Sequence, residues 1–82
     1  MKVNITEEVI SVICRDGIFT FSAKTERDSN FVDTGYMIIW IGISNKIRCS
    51  LNDYYQFIGF IENLPLEDFF TFKKRMFNIK NI

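Results

Sequence analysis

Histidine is absent from this 82-residue chain. Its absence excludes every triad built on an imidazole base, every two-histidine metal site and any histidine pH switch. Cysteine occurs only at positions 14 and 49, too few for a zinc site and too sparse for a secreted disulfide scaffold. Both have apolar neighbours, where a free thiol behaves as a small hydrophobe. One proline and four glycines rule out a collagen-like repeat, a linker or a disordered tail. Net charge is also missing: ten basic and ten acidic residues cancel, so no bulk field draws the chain to nucleic acid or membrane. No apolar segment of a signal peptide follows Lys2, and the longest apolar run, Tyr36 to Ile43, falls far short of the ~18–20 residues of a membrane span. A cytoplasmic location is the expectation. Alanine occurs only at Ala23, while Ile, Phe, Asn, Lys and Tyr, whose codons are AT-rich, abound. That bias fits a low-GC bacterium, or a phage or mobile element living in one.

What is present is apolar. Hydrophobic residues make up 48% of the chain, with nine Phe, three Tyr and one Trp. A chain this short forms one domain, residues 1–82, around a small core. Asp16-Gly17 between two apolar runs is the strongest short-range hairpin signal. A two-residue loop there would pair Cys14 with Phe19, Val12 with Phe21 and Ile10 with Ala23. One face would then carry Ile10, Val12, Cys14, Phe19, Phe21 and Ala23. The other would carry Ser11, Ile13, Arg15, Ile18, Thr20, Ser22 and Lys24.

Thr25 to Thr34 reads as a polar loop with Phe31 and Val32 tucked under it. GYMIIWIGIS (35–44) reads as a strand covered on both faces. KIRCSL (46–51) alternates, and two registers are open: a three-residue loop Ser44-Asn45-Lys46, the preferred one, would pair Ile43 with Ile47 and Ile41 with Cys49, whereas a two-residue loop would put Ile41 and Ile43 beside Ser50 and Arg48. Ser50 or Asn52 can cap a helix through 53–63. Pro65 suits the first turn of a second helix, in which Leu66, Phe69, Phe70, Met76 and Phe77 form the apolar stripe. The expected fold is therefore α+β: a four-stranded antiparallel β-meander followed by two C-terminal α-helices, in two layers.

No constellation for catalysis emerges. There is no GxSxG, SxxK or glycine-rich phosphate loop, and Glu26, Asp28 and Asp33 match no metal-loop spacing. No enzyme activity, cofactor or metal site is expected. The outward sheet face gathers Arg15, Lys24, Tyr36, Trp40 and Arg48 with no acid among them, the pattern that holds single-stranded nucleic acid by phosphate contact and base stacking. Surplus apolar surface points instead to a protein interface, with Tyr36 and Trp40 on the sheet and Phe72 and Ile79 off the main stripe of the last helix.

A four-stranded meander running into a helix, from EEVISVICRDG to IRCSLNDYYQFIGFI, resembles the positive cofactor four-type single-stranded DNA-binding domains over about residues 7 to 63. Cys49-Ser50-Leu51 stands at the strand-to-helix junction where that family carries a Gly-Ile-Ser/Thr-Leu segment. The chain departs from the family in its zero net charge, its missing basic ribbon residues and its added Pro65 helix. The resemblance is one of topology, and it implies a homodimer that uses the outward sheet face.

Two functions follow as expectations. The leading one is a small non-enzymatic protein that binds another protein through Tyr36, Trp40, Phe72 and Ile79, its concrete form a phage or mobile-element inhibitor of a host defence protein. The alternative is a homodimeric single-stranded nucleic-acid binder using Arg15, Lys24, Tyr36, Trp40 and Arg48. Neither involves a membrane.

Overall fold

Side-chain alternation organises five strands, not four. The computed structural model describes residues 1–79. Its elements are β1 (Lys2–Thr6), β2 (Val9–Ile13), β3 (Ile18–Arg27), β4 (Asp33–Ile41), β5 (Asn45–Ser50), α1 (Leu51–Glu62) and α2 (Phe69–Phe77). The strands form one antiparallel meander in the order β1-β2-β3-β4-β5. The unexpected strand is β1, which pairs Val3 with Val12 and Ile5 with Ile10. Its turn, Glu7-Glu8, contains none of the residues that usually signal one. Glu7 nevertheless takes the left-handed conformation (φ 53°) that the tight reversal demands.

Both expected hairpin registers are displaced, by even numbers of residues. Ile13 pairs with Ile18 and Val12 with Phe19, so the first loop holds four residues, Cys14 to Gly17. The loop is pulled open by the α1–α2 connection. Arg15 N–H donates to Glu67 O at 2.9 Å, Arg15 Nη2 to Leu66 O at 3.2 Å, and Phe69 N–H to Asp16 Oδ1 at 2.7 Å. In the second hairpin Ile41 pairs with Asn45 and Ile39 with Ile47. Its three-residue loop is therefore Gly42-Ile43-Ser44, with Gly42 at φ 73°. Even shifts leave every side chain on its expected face, because the strand period is two.

The polar segment after Ala23 is mostly strand. β3 runs on to Arg27 and β4 begins at Asp33, with a bulge opposite Glu26 that includes Gly35 at φ 84°. Only Asp28 to Val32 remain as loop. Phe31 and Val32, expected beneath it, are instead exposed, at 81% and 57%.

Ser50 caps α1 by accepting from Asp53 N–H at 3.1 Å. The Met1 ammonium donates to Glu62 O and Leu64 O at 2.9 and 2.7 Å, satisfying carbonyls at the other end of that helix. Pro65 lies outside α2, contrary to expectation. Asp68 is the cap, accepting from Thr71 N–H at 2.7 Å and Thr71 Oγ1 at 3.0 Å, bonds that hold its carboxyl below the usual range. The buried face of α2 is also different from the expected stripe. Phe72 and Met76 are fully buried and Phe69 half-buried, while Phe70 and Phe77 stay exposed.

Both helices pack on one face of the sheet. Their core joins Ile10, Val12, Phe19, Phe21, Ile39 and Ile41 of the strands to Phe57, Ile61, Phe72 and Met76 of the helices. Cys14 and Cys49 are free thiols within it, and burial raises the pKa of each. No polar residue is buried among the described residues. No helix among them is long and apolar enough to cross a membrane.

Two substitutions test this packing by urea unfolding. Phe72→Ala should cost about 3–5 kcal/mol, the usual loss for a fully buried phenylalanine. A cost under 1 kcal/mol would mean that α2 does not pack here. Gly42→Ala should cost about 1–2 kcal/mol for the left-handed backbone alone. The added Cβ would sit 2.8 Å from Phe77 Cε1, but that is the outer end of a half-exposed ring that can turn aside, so the contact should add little.

Candidate functional site

Among the described residues, nothing covers the face of the sheet opposite the helices. β4 supplies Tyr36, Ile38 and Trp40, β3 supplies Thr20, Ser22, Lys24 and Glu26, and β5 supplies Lys46, Arg48 and Ser50. Across the strands, Val9, Ser22, Trp40 and Lys46 form one row and Lys24, Ile38 and Arg48 the next. Thr20, Ser22 and Gly42 are small, and Val9 and Trp40 rise on either side. The result is a shallow depression of about 280 Å³.

Cations lie over both outer-face rings of β4. Arg48 Cζ sits 3.7 Å from the Tyr36 centroid, and Lys46 Nζ sits 5.3 Å from the Trp40 centroid. Ile38 is buried at 7% exposure although it belongs to the outer face and lies outside the main core. Its neighbours Lys24 and Arg48 are long side chains whose stems can cover it.

Glu26 changes the electrostatics of this face. Because β3 extends past the expected loop boundary, a carboxylate joins the surface that was expected to hold none. Arg48 Nε and Nη2 donate to its two oxygens at 2.7 and 3.0 Å, and Thr34 Oγ1 donates to Oε1 at 2.7 Å. Those bonds lower the Glu26 pKa from 4.5 to about 2 and raise that of Arg48. The other two acids of the segment are also engaged. Asp28 Oδ1 accepts from Asn30 and Val32 N–H, and Asp33 pairs with Arg27 at 3.2 Å. Among the described residues no three His, Cys, Asp or Glu side chains gather as a metal site.

The residues singled out from the sequence divide into three groups. Lys24, Tyr36, Trp40 and Arg48 do meet on the outer face. Arg15 does not: it lies in the β2–β3 loop with its guanidinium on the Leu66 carbonyl. Phe72 is fully buried on the helix side and Ile79 is half-buried against the core, so neither offers the free surface expected of it. The alternate stripe Phe69-Phe72-Met76-Ile79 was available at helical spacing, but two apolar stripes compete in this helix and spacing alone does not choose between them. Lys46 was missed because it was assigned to a turn, and Glu26 because it was assigned to a loop. A wide groove of about 610 Å³, lined by Glu7, Glu8, Lys24, Glu26, Arg27 and Phe31 among others, borders β3 where it outruns β2.

No family model, curated protein or solved structure matches this chain. The likeness to positive cofactor four-type domains therefore stands on strand order alone. The added β1 and a second helix on the same face of the sheet depart from it.

The Glu26–Arg48 pair predicts a specific acid response. A carboxyl whose folded pKa is depressed contributes stability that is present above the unfolded value and lost as pH falls through the folded one. The contribution of Glu26 should thus fade between pH 4.5 and about 2. Carboxyl-carbon NMR should find Glu26 titrating at about 2, below the ordinary value of 4.5, and Arg48→Met should raise it toward that value. Titration of Glu26 at the ordinary value of 4.5 in the unmodified protein would mean that the pair does not form in solution.

Proposed function

We propose that this protein acts without catalysis, by binding another protein through the outer face of its sheet around Trp40. The observation that carries the reading is one-sided packing. Both helices cover the same face, so the opposite face keeps Val9, Ile18, Tyr36 and the partly exposed Trp40 with no cover of its own. Trp40 borders the shallow depression, and Tyr36 and Arg48 lie on the same face, residue types that are enriched in binding hot spots. The codon bias supports one concrete form, an inhibitor of a host defence protein carried by a phage or mobile element. A second copy of the chain is the other protein that could cover this face, and light scattering at micromolar concentration separates the two.

Binding of single-stranded nucleic acid is the second reading, favoured by Lys2, Lys24, Lys46 and Arg48 on one surface. It ranks below the first for three reasons. Arg15 is off the face, Arg48 is neutralised by Glu26, and each ring that would stack a base already has a cation over it.

Trp40 fluorescence decides between them. Titration with a single-stranded oligonucleotide at low salt should leave the emission unchanged. Saturable quenching that added salt abolishes would replace the protein reading with the nucleic-acid one. Against the protein partner, once captured from host lysate, Trp40→Ala should weaken affinity by about 2 kcal/mol, or about 30-fold. Unaltered affinity in a folded variant would remove Trp40 from the interface.

A further inference from the structure

Phe31 occupies a position that a fold would not choose for its own stability. It sits at the tip of the β3–β4 hairpin with 81% of its surface in water, beside Val32 at 57%. Its backbone is left-handed, at φ 60°. That conformation is uncommon for any residue other than glycine and is unfavourable for a bulky one, whereas Asn or Gly would adopt it readily. Exposed apolar surface and unfavourable backbone thus coincide at one residue, and neither is offset by a contact with the core.

The tip is nonetheless held. Asp28 Oδ1 accepts from Asn30 N–H at 2.8 Å and from Val32 N–H at 3.1 Å. Asp28 N–H donates to Val32 O and Phe31 N–H to Asp28 O, each at 3.0 Å. Four hydrogen bonds inside five residues fix the loop, so the ring of Phe31 is presented rather than free to fold back. A fixed apolar projection loses little entropy on binding.

We infer that Phe31 and Val32 form a preorganised projection that inserts into a concave apolar pocket on the partner protein, with a Lys or Arg of that pocket's rim meeting Asp28. The charge at the tip selects this occupant. Arg27 is paired with Asp33 and Arg48 with Glu26, so the tip offers no unpaired cation. Asp28 keeps one carboxylate oxygen, Oδ2, with no partner within the loop. A phosphate-rich surface, whether an anionic lipid bilayer or a nucleic acid, would meet the Asp28 carboxylate at the tip itself, while Lys24 and Lys46 lie farther back along the groove that Phe31 also lines. The inference rests on the protein-binding reading and adds a second contact point, at the far end of the hairpin that carries Trp40.

Three measurements test it together. The first needs no partner: Phe31→Asn should raise the urea midpoint, since it relieves the backbone and removes an exposed ring. A lowered midpoint would mean that Phe31 serves the fold, and would overturn the inference. The second places the photo-crosslinker p-benzoylphenylalanine at position 31 in one sample and at position 40 in another, each irradiated in host lysate. The adduct from position 31 should map to a concave apolar site with a basic rim. Excess unmodified protein should suppress it, and Phe31→Asn should compete at least tenfold less well. Adducts on a flat or acidic surface, equal competition by Phe31→Asn, or adducts from position 40 alone would overturn the insertion and leave the sheet-face reading intact. No protein adduct from either position would sink both. The third uses vesicles of phosphatidylcholine and phosphatidylglycerol, with which the protein should not sediment. Sedimentation that Phe31→Asn abolishes would assign the tip to a membrane surface instead.

Discussion

Phe19 is the point through which the two layers are joined. Its ring lies 5.6 Å from Phe72 and 6.3 Å from Phe77, both edge-on, and 6.0 Å from Phe69. Aromatic pairs in such arrangements add to the burial of their area. One strand residue therefore holds three side chains of α2 against the sheet. The hydrogen bonds from the β2–β3 loop to the α1–α2 connection hold the same helix at its start. Had α2 turned to the other side, the outer face would have been an ordinary core. Because Phe19 keeps it beside α1, the chain has a covered face and an open one.

The open face and the projecting hairpin follow from that arrangement and from the length of β3. β2 ends near the level of Ala23, whereas β3 and β4 continue to Arg27 and Asp33. The extension brings Glu26 beside Arg48, and it carries Phe31 beyond the body of the sheet. Of the four cations among the strand residues of the outer face, Arg48 is paired with Glu26, whereas Lys2, Lys24 and Lys46 form no ion pair among the described residues. A partner that reads this surface meets ring faces with cations over them, a shallow depression beside Trp40, and a hydrophobic tip some distance away.

Much of this was legible from residue order. Alternation in VISVIC, IFTFSAK and KIRCSL assigns Ile10, Val12, Phe19, Phe21, Ile47 and Cys49 to one side, and they are the side that is buried. The cap of α1 was narrowed to Ser50 or Asn52, and Ser50 takes the role. The β1 strand was not, because a five-residue strand closed by Glu7-Glu8 carries no turn chemistry. The extension of β3 was hidden by its polarity: Lys24, Thr25, Glu26 and Arg27 form strand through pairing with β4, not through burial. Of the candidate site, the cluster of Lys24, Tyr36, Trp40 and Arg48 could be read ahead of the structure. Lys46, Glu26 and the exposure of Phe31 could not.

Local chemistry alone determined which side of each strand faces the core and that no imidazole chemistry is at work. Those properties depend on residue type and on a period of two or 3.6, which neighbours in sequence already express. Register, the choice between two apolar stripes on α2, and the side of the sheet that α2 covers were decided only by tertiary packing. Each depends on contacts between residues far apart in the chain, such as Asp16 with Phe69 and Phe19 with Phe72. A shift of two residues costs a strand nothing in its own pattern, so only the loops and helices packed against it can choose among the alternatives.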